Sequence, residues 1–109
     1  MRAYVGVTDG DWYRFLAARP QLSEVNFWRR SGDLRFGALA VGEPFFVKTH
    51  RPHHRVVGGG FYSDFARLRV SEAWSFFGEG NGAGSLGEMR ALVGRYRRTA
   101  IALHDDPVI

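Results

Sequence analysis

Three consecutive glycines, Gly58, Gly59 and Gly60, stand inside what otherwise reads as a β-strand, R-V-V-G-G-G-F-Y. Glycine loses more backbone freedom on folding than any other residue and gives a sheet no side chain to pack. A run of three is tolerated where something must come close to that backbone. One candidate is the chain itself, a helix near Trp74 lying on the ribbon; the other is a ligand. The residues around the run favour a ligand of a particular kind. Phe45 and Phe46 precede it in a partner strand, F-F-V-K-T-H, and Phe61, Tyr62 and Phe65 follow it. The loop between the two strands is R-P-H-H, basic and rich in histidine. A bare backbone between aromatic rings with a cationic rim suits a flat, polar, anion-linked guest, and a nucleotide base is such a guest.

Composition bounds this reading. The chain has 109 residues, enough for one domain with one well-filled core. Aromatic residues make up 15% of it, more than a core of this size needs. The formal net charge is +4, and all but one of the 15 basic residues are Arg, the exception being Lys48. Arginine forks onto phosphate and stacks on bases, which favours a nucleic-acid partner; a GC-rich genome writes the same bias by default. With no cysteine, disulfides, thiol nucleophiles and thiolate-held zinc are excluded. No apolar stretch approaches the roughly 20 residues of a membrane span, and no signal core follows Met1, so a soluble, cytoplasmic protein with no membrane partner is expected.

Taken in order, Tyr4, Val5 and Val7 suggest a first strand. Thr8 is placed to cap the helix carrying Trp12, Phe15 and Leu16, which Arg19-Pro20 ends. Val25 to Trp28 is an apolar-aromatic run interrupted by Asn26, whose amide offers donors and an acceptor for a base edge or for a bend near a sheet edge. Leu34–Leu39 reads as a strand and 41–44 as a tight turn into the central hairpin. Phe65, Leu68 and Val70 are expected to continue the sheet. Ser71 is expected to cap a helix through Phe77, and G-E-G-N-G-A-G to be flexible punctuation. Ser85 and Glu88 form a capping box for a helix whose apolar stripe is Leu86, Met89, Leu92, Val93 and Tyr96. Thr99–Leu103 suggests a last strand. The class is α+β, a small bent mixed sheet or partly open β-barrel with three helices. Loops between the central strands are too short for a doubly wound sheet.

Catalytic chemistry finds little support. No Ser or Thr sits in a nucleophile elbow, and Asp9 with Asp11 is explained by the start of a helix. His50, His53 and His54 lie among Arg51 and Arg55, and neighbouring cations oppose a metal. The glycines lead into a strand, not into a helix, so they do not form a phosphate-cradling loop. No cofactor is implied. What remains is base capture. Asn26, Phe27, Trp28, Phe46, Gly59, Gly60, Tyr62 and Asp64 are the candidate pocket, and Lys48, His50, Arg51, His53 and Arg55 the candidate phosphate contacts.

Several stretches carry a family resemblance: Y-V-G-V-T-D-G-D-W-Y-R-F-L, E-V-N-F-W-R, G-E-P-F-F-V-K, V-V-G-G-G-F and A-W-S-F-F-G-E-G-N-G-A-G-S-L-G-E-M. Together they resemble the N-terminal domain of bacterial HNH endonucleases described as modification-dependent restriction enzymes. That domain is similar to the PUA superfamily, which includes the EVE, ASCH, YTH and SRA-like readers. The resemblance implies a PUA-like module that flips a modified DNA base into a pocket and directs an HNH nuclease. No HNH motif occurs in these residues, and the sequence ends at Ile109 where the resembling proteins run on; a homodimer is one way to cover an incomplete barrel edge. An RNA-binding PUA-like module, and a domain that binds a protein or small ligand instead of nucleic acid, are the alternatives.

Overall fold

The computed structural model describes residues 2–29, 39–50, 55–98, 101–102 and 104–109. Its elements are β1 (Tyr4–Thr8), α1 (Gly10–Ala17), β2 (Pro44–Thr49), β3 (Val56–Phe61), α2 (Val70–Phe77), a 3₁₀ turn (Gly78–Asn81) and α3 (Leu86–Arg97). The chain is α+β; the described residues form one three-stranded open mixed sheet and three α-helices. It packs as two units, one formed by Met1–Tyr13 and Arg35–Ala66, the other by Arg14–Leu34 and Arg67–Ile109.

The first unit holds the sheet. β2 is its central strand, parallel to β1 and antiparallel to β3. The expected hairpin is therefore present, and a bulge between Val47 and Lys48 shifts its register. The parallel pair needs a long crossover, and the connection from β1 to β2 carries α1. Entry to β2 is a tight turn. Glu43 N–H donates to the Ala40 carbonyl at 3.1 Å, and Gly42 takes φ +88°, a conformation that costs a side-chain-bearing residue strain. Glu43 secures this turn with its carboxylate, which accepts from the N–H groups of Ala40 (2.6 Å) and Arg2 (2.7 Å). Those bonds, Ala40 first, hold its carboxyl below the usual range. Trp12, Leu39 and Val47 are the buried apolar residues here. The cap of α1 is Asp9, not Thr8: Asp9 Oδ1 accepts from Trp12 N–H at 2.8 Å, while Thr8 is still paired in the sheet.

The second unit is built on α2 and α3. Val70, Ala73, Ala83, Met89, Val93 and Ile109 form its core, with Trp28, Leu68, Trp74 and Leu92 packed around them. Met89 and Val93 lie one helical turn apart on the expected stripe, and burying each stabilises by about 1.5–3 kcal/mol. Ser85 caps α3 as expected, its hydroxyl accepting from Glu88 N–H at 3.1 Å.

Three expectations are corrected here. Residues 62–68 form no strand; Arg69 makes one isolated bridge to Val108, and Val70 already begins α2. Ser71 is not the cap of that helix. The N-cap is Arg69, whose N–H donates to Glu72, while the Ser71 hydroxyl and N–H both donate to the Asp106 carboxylate. That pair of bonds, the hydroxyl first, lowers the Asp106 pKa. Nor is G-E-G-N-G-A-G punctuation: Gly80, Asn81, Gly82 and Ala83 are all buried. The strands expected over 34–39 and 99–103 fall largely outside the described residues; Leu39, Ile101 and Ala102 are described and lie in no strand.

Candidate nucleic-acid interface

Side chains alternate across a strand, so the register sorts the sheet into two faces. Tyr4, Gly6, Phe45, Val47 and Gly58 share one face through the pairings Tyr4↔Phe45, Gly6↔Val47 and Val47↔Gly58. It is covered: Gly6 and Val47 are buried, and the Tyr4 and Phe45 rings meet at 5.2 Å. The side chain lying on the glycine ribbon is Tyr13 of α1. A methyl on Gly58 would stand 3.0 Å from Tyr13 Cε1, and the Tyr13 hydroxyl donates to the Val57 carbonyl at 2.7 Å. The helix near Trp74, offered above as the packing partner of the glycines, belongs instead to the second unit, where Trp74 packs on the α2–α3 core.

Among the described residues the other face is bare. Val5 pairs with Phe46, Val7 with Lys48, Phe46 with Gly59, Lys48 with Val56 and Pro44 with Phe61. Val5, Val7, Phe46, Val56 and Phe61 are all exposed, Phe46 at 40% and Phe61 at 79%. Gly59 serves this face, because a methyl there would come 3.0 Å from Cδ1 of Phe46 and 2.7 Å from the Phe45 carbonyl oxygen. The glycine lets the Phe46 ring settle over the ribbon. Gly60 pairs with Phe45 and so belongs to the first face, at a point where its side-chain position is open. Lys48 is the one polar side chain that the described strands place on the bare face. His50 and Arg55 are exposed at the same end of the hairpin, and among the described residues no ion pair engages any of these three. Between Pro44 and Phe61 the sequence contains no Asp or Glu.

The proposed pocket residues divide between the units. Phe46, Gly59, Gly60, Tyr62 and Asp64 lie in the first, and Asn26, Phe27 and Trp28 in the second. Tyr62 extends the hairpin by one step, exchanging backbone bonds with Gly42 and Glu43. Burial, and then the nearby Asp64 carboxylate, push its phenol pKa up. Asp64 is exposed and accepts from Phe65 N–H. Phe27 is half-buried. Asn26 and Trp28 converge on Asn81. The Asn26 side-chain amide donates to Asn81 Oδ1 and the Trp28 indole N–H to the Asn81 carbonyl, both at 2.9 Å. The Trp28 ring packs 5.5 Å from Tyr96. Arg51 and His53 lie outside the described residues.

Two contributors were not foreseen. The sequence presents Phe61 as a wall flanking the glycines, and counting parity from Gly59 identifies it as the most exposed ring of the bare face. Asn81 stands in a stretch with the composition of a loop. Its signal was an amide among residues too small to keep backbone away: a methyl on Gly80 would stand 2.6 Å from the Glu24 carbonyl oxygen.

Among the described residues no group of His, Asp or Glu is arranged to hold a metal ion, and no helix is long and apolar enough to cross a membrane. Comparison with protein-family models, with curated proteins and with solved structures finds no match to this chain.

Proposed function

We propose that this chain is a DNA-binding reader that recognises a modified base flipped out of the helix, and that it acts as the specificity module of an HNH restriction endonuclease. The supporting observation is the bare sheet face, where exposed Phe46 and Phe61 lie beside Lys48 on strands without a carboxylate. Stacking on an aromatic ring contributes roughly 1–3 kcal/mol per base. Extruding a base costs a few kcal/mol, and less when it is already unstacked. Stacking offsets much of the extrusion cost, and phosphate contacts to cations supply the net affinity. The PUA-like architecture and the nuclease partner rest on the resemblance set out above.

Titration against matched duplexes carrying cytosine, 5-methylcytosine, 5-hydroxymethylcytosine or N6-methyladenine tests this function. Preference for one modified duplex is the expected result; equal affinity for all, unmodified DNA included, removes the reader assignment. A second reading, a domain that binds no nucleic acid, draws on the internal use of arginine. Arg90 donates to the carbonyls of Asp105 and Ala102, Arg97 to that of Val108, and Arg19 pairs with Glu79. Failure to retain DNA at any salt concentration favours that reading.

A further inference from the structure

The bare face of the sheet carries two exposed rings. Phe46 and Phe61 project from it as diagonal neighbours, since Phe46 pairs with Gly59 and Phe61 follows Gly59 by two residues. Diagonal positions across an antiparallel pair are about 7–8 Å apart. We propose that this face binds single-stranded DNA, with two nearby unpaired bases stacked on Phe46 and Phe61 and the phosphates led along Lys48. The proposal rests on the chain being a DNA binder and goes beyond it in naming the strand state.

Charge complementarity chooses the occupant. A partner protein would find hydrophobic contact on this face, but a partner rich in Lys or Arg would meet Lys48, with the exposed His50 beyond the strand end, and no carboxylate on the strands to answer it. A polyanion whose rings are free to stack answers both the apolar surface and the cations. Bases paired in a duplex present edges to the grooves and keep their faces stacked, so only an unpaired strand offers faces to the rings. Chemistry on the face also favours deoxyribose. Recognition of RNA draws on the 2′-hydroxyl, and apart from Lys48 the described strands place no hydroxyl, amide or carboxylate there. An RNA strand laid on Val5, Val56 and the two rings would lose water from its hydroxyls without gaining partners.

The test is fluorescence anisotropy on the full chain with labelled twelve-nucleotide oligo-dT, oligo-rU and matched duplexes with and without base modification. Phe61→Ala removes a largely exposed ring, and Phe46→Leu keeps volume while removing the aromatic face; thermal melts confirm that both variants fold. Each is expected to weaken oligo-dT binding about tenfold, and Lys48→Gln to lower the salt dependence by about one phosphate contact. Oligo-dT is expected to bind more tightly than oligo-rU and than unmodified duplex. Folded variants that bind oligo-dT like the parent overturn the proposal, as does tighter binding of oligo-rU. Variants that dissociate a dimer in sedimentation while binding DNA normally assign the face to a second copy and also overturn it. If the parent binds modified duplex but the two ring variants leave oligo-dT unchanged, only the single-strand proposal fails. If the parent binds no DNA, the proposed function fails with it.

Discussion

The side-chain amide of Asn26 donates to Oδ1 of Asn81, 55 residues further along, at 2.9 Å. Asn81 is fully buried, and its own amide donates to the carbonyls of Ala73 (3.0 Å) and Gly78 (2.8 Å). One amide thus joins the 25–29 segment to the end of α2. Backbone support comes from Asn26 N–H, which donates to the Gly80 carbonyl at 2.8 Å.

Asn81→Leu removes, at a fully buried position, the donor to the Ala73 and Gly78 carbonyls and the acceptor of the Asn26 amide. Its expected cost is about 3 kcal/mol. Asn26→Ala, at a half-buried position, costs about 1 kcal/mol. Urea unfolding followed by circular dichroism measures both, and equal effects would contradict the central role of Asn81.

The three glycines of β3 are not interchangeable. None takes positive φ, so space and not conformation separates them. Gly59→Ala forces a methyl to 2.7 Å from a backbone oxygen and is expected to cost about 1–3 kcal/mol. Gly58→Ala meets the Tyr13 ring at 3.0 Å, and a small ring shift keeps the loss near about 1 kcal/mol. Gly60→Ala meets nothing and is expected to be neutral or to stabilise by about 0.5 kcal/mol. Melting temperatures of the three variants give the order directly.

Acid weakens this fold through two carboxylates. Glu43 is held below its ordinary pKa by the N–H groups of Ala40 and Arg2, and Asp106 by the hydroxyl and N–H of Ser71. A carboxyl with a lowered folded-state pKa contributes stability that is complete above its unfolded value. That contribution drains away as pH falls below about 4, through the folded value. Melting temperature measured from pH 6 to pH 2 is expected to fall less steeply for Glu43→Gln and for Asp106→Asn than for the parent. Parallel curves would contradict these assignments.

Local patterning made much of the architecture legible. Alternation marked β1 and the hairpin, and the capping box with its apolar stripe marked α3. Elements whose ends depend on partners distant in sequence were misread. Ser71 has the composition of a cap, yet Asp106, 35 residues away, takes both its donors. Val70 looked like a strand residue because β-branching says nothing of the helix core formed with Met89 and Val93. The glycine run announced close approach without naming its agent; Tyr13 stands on one face at Gly58 and Phe46 on the other at Gly59. Asn26 reads as an edge-reading group because its amide needs partners, and Trp28 as a stacking ring; Asn81 meets the need of the Asn26 amide donor and also takes the Trp28 indole N–H.

Whether DNA lies on the bare sheet face is answered most directly by titrating the ¹⁵N-labelled chain with oligo-dT and following amide shifts residue by residue. The account predicts that Val5, Phe46, Lys48, Gly59 and Phe61 move, while the indole N–H of Trp28, held by the Asn81 carbonyl, stays in place. Movement of the Trp28 indole and the Asn26 side-chain amide with the strand residues unmoved would contradict it.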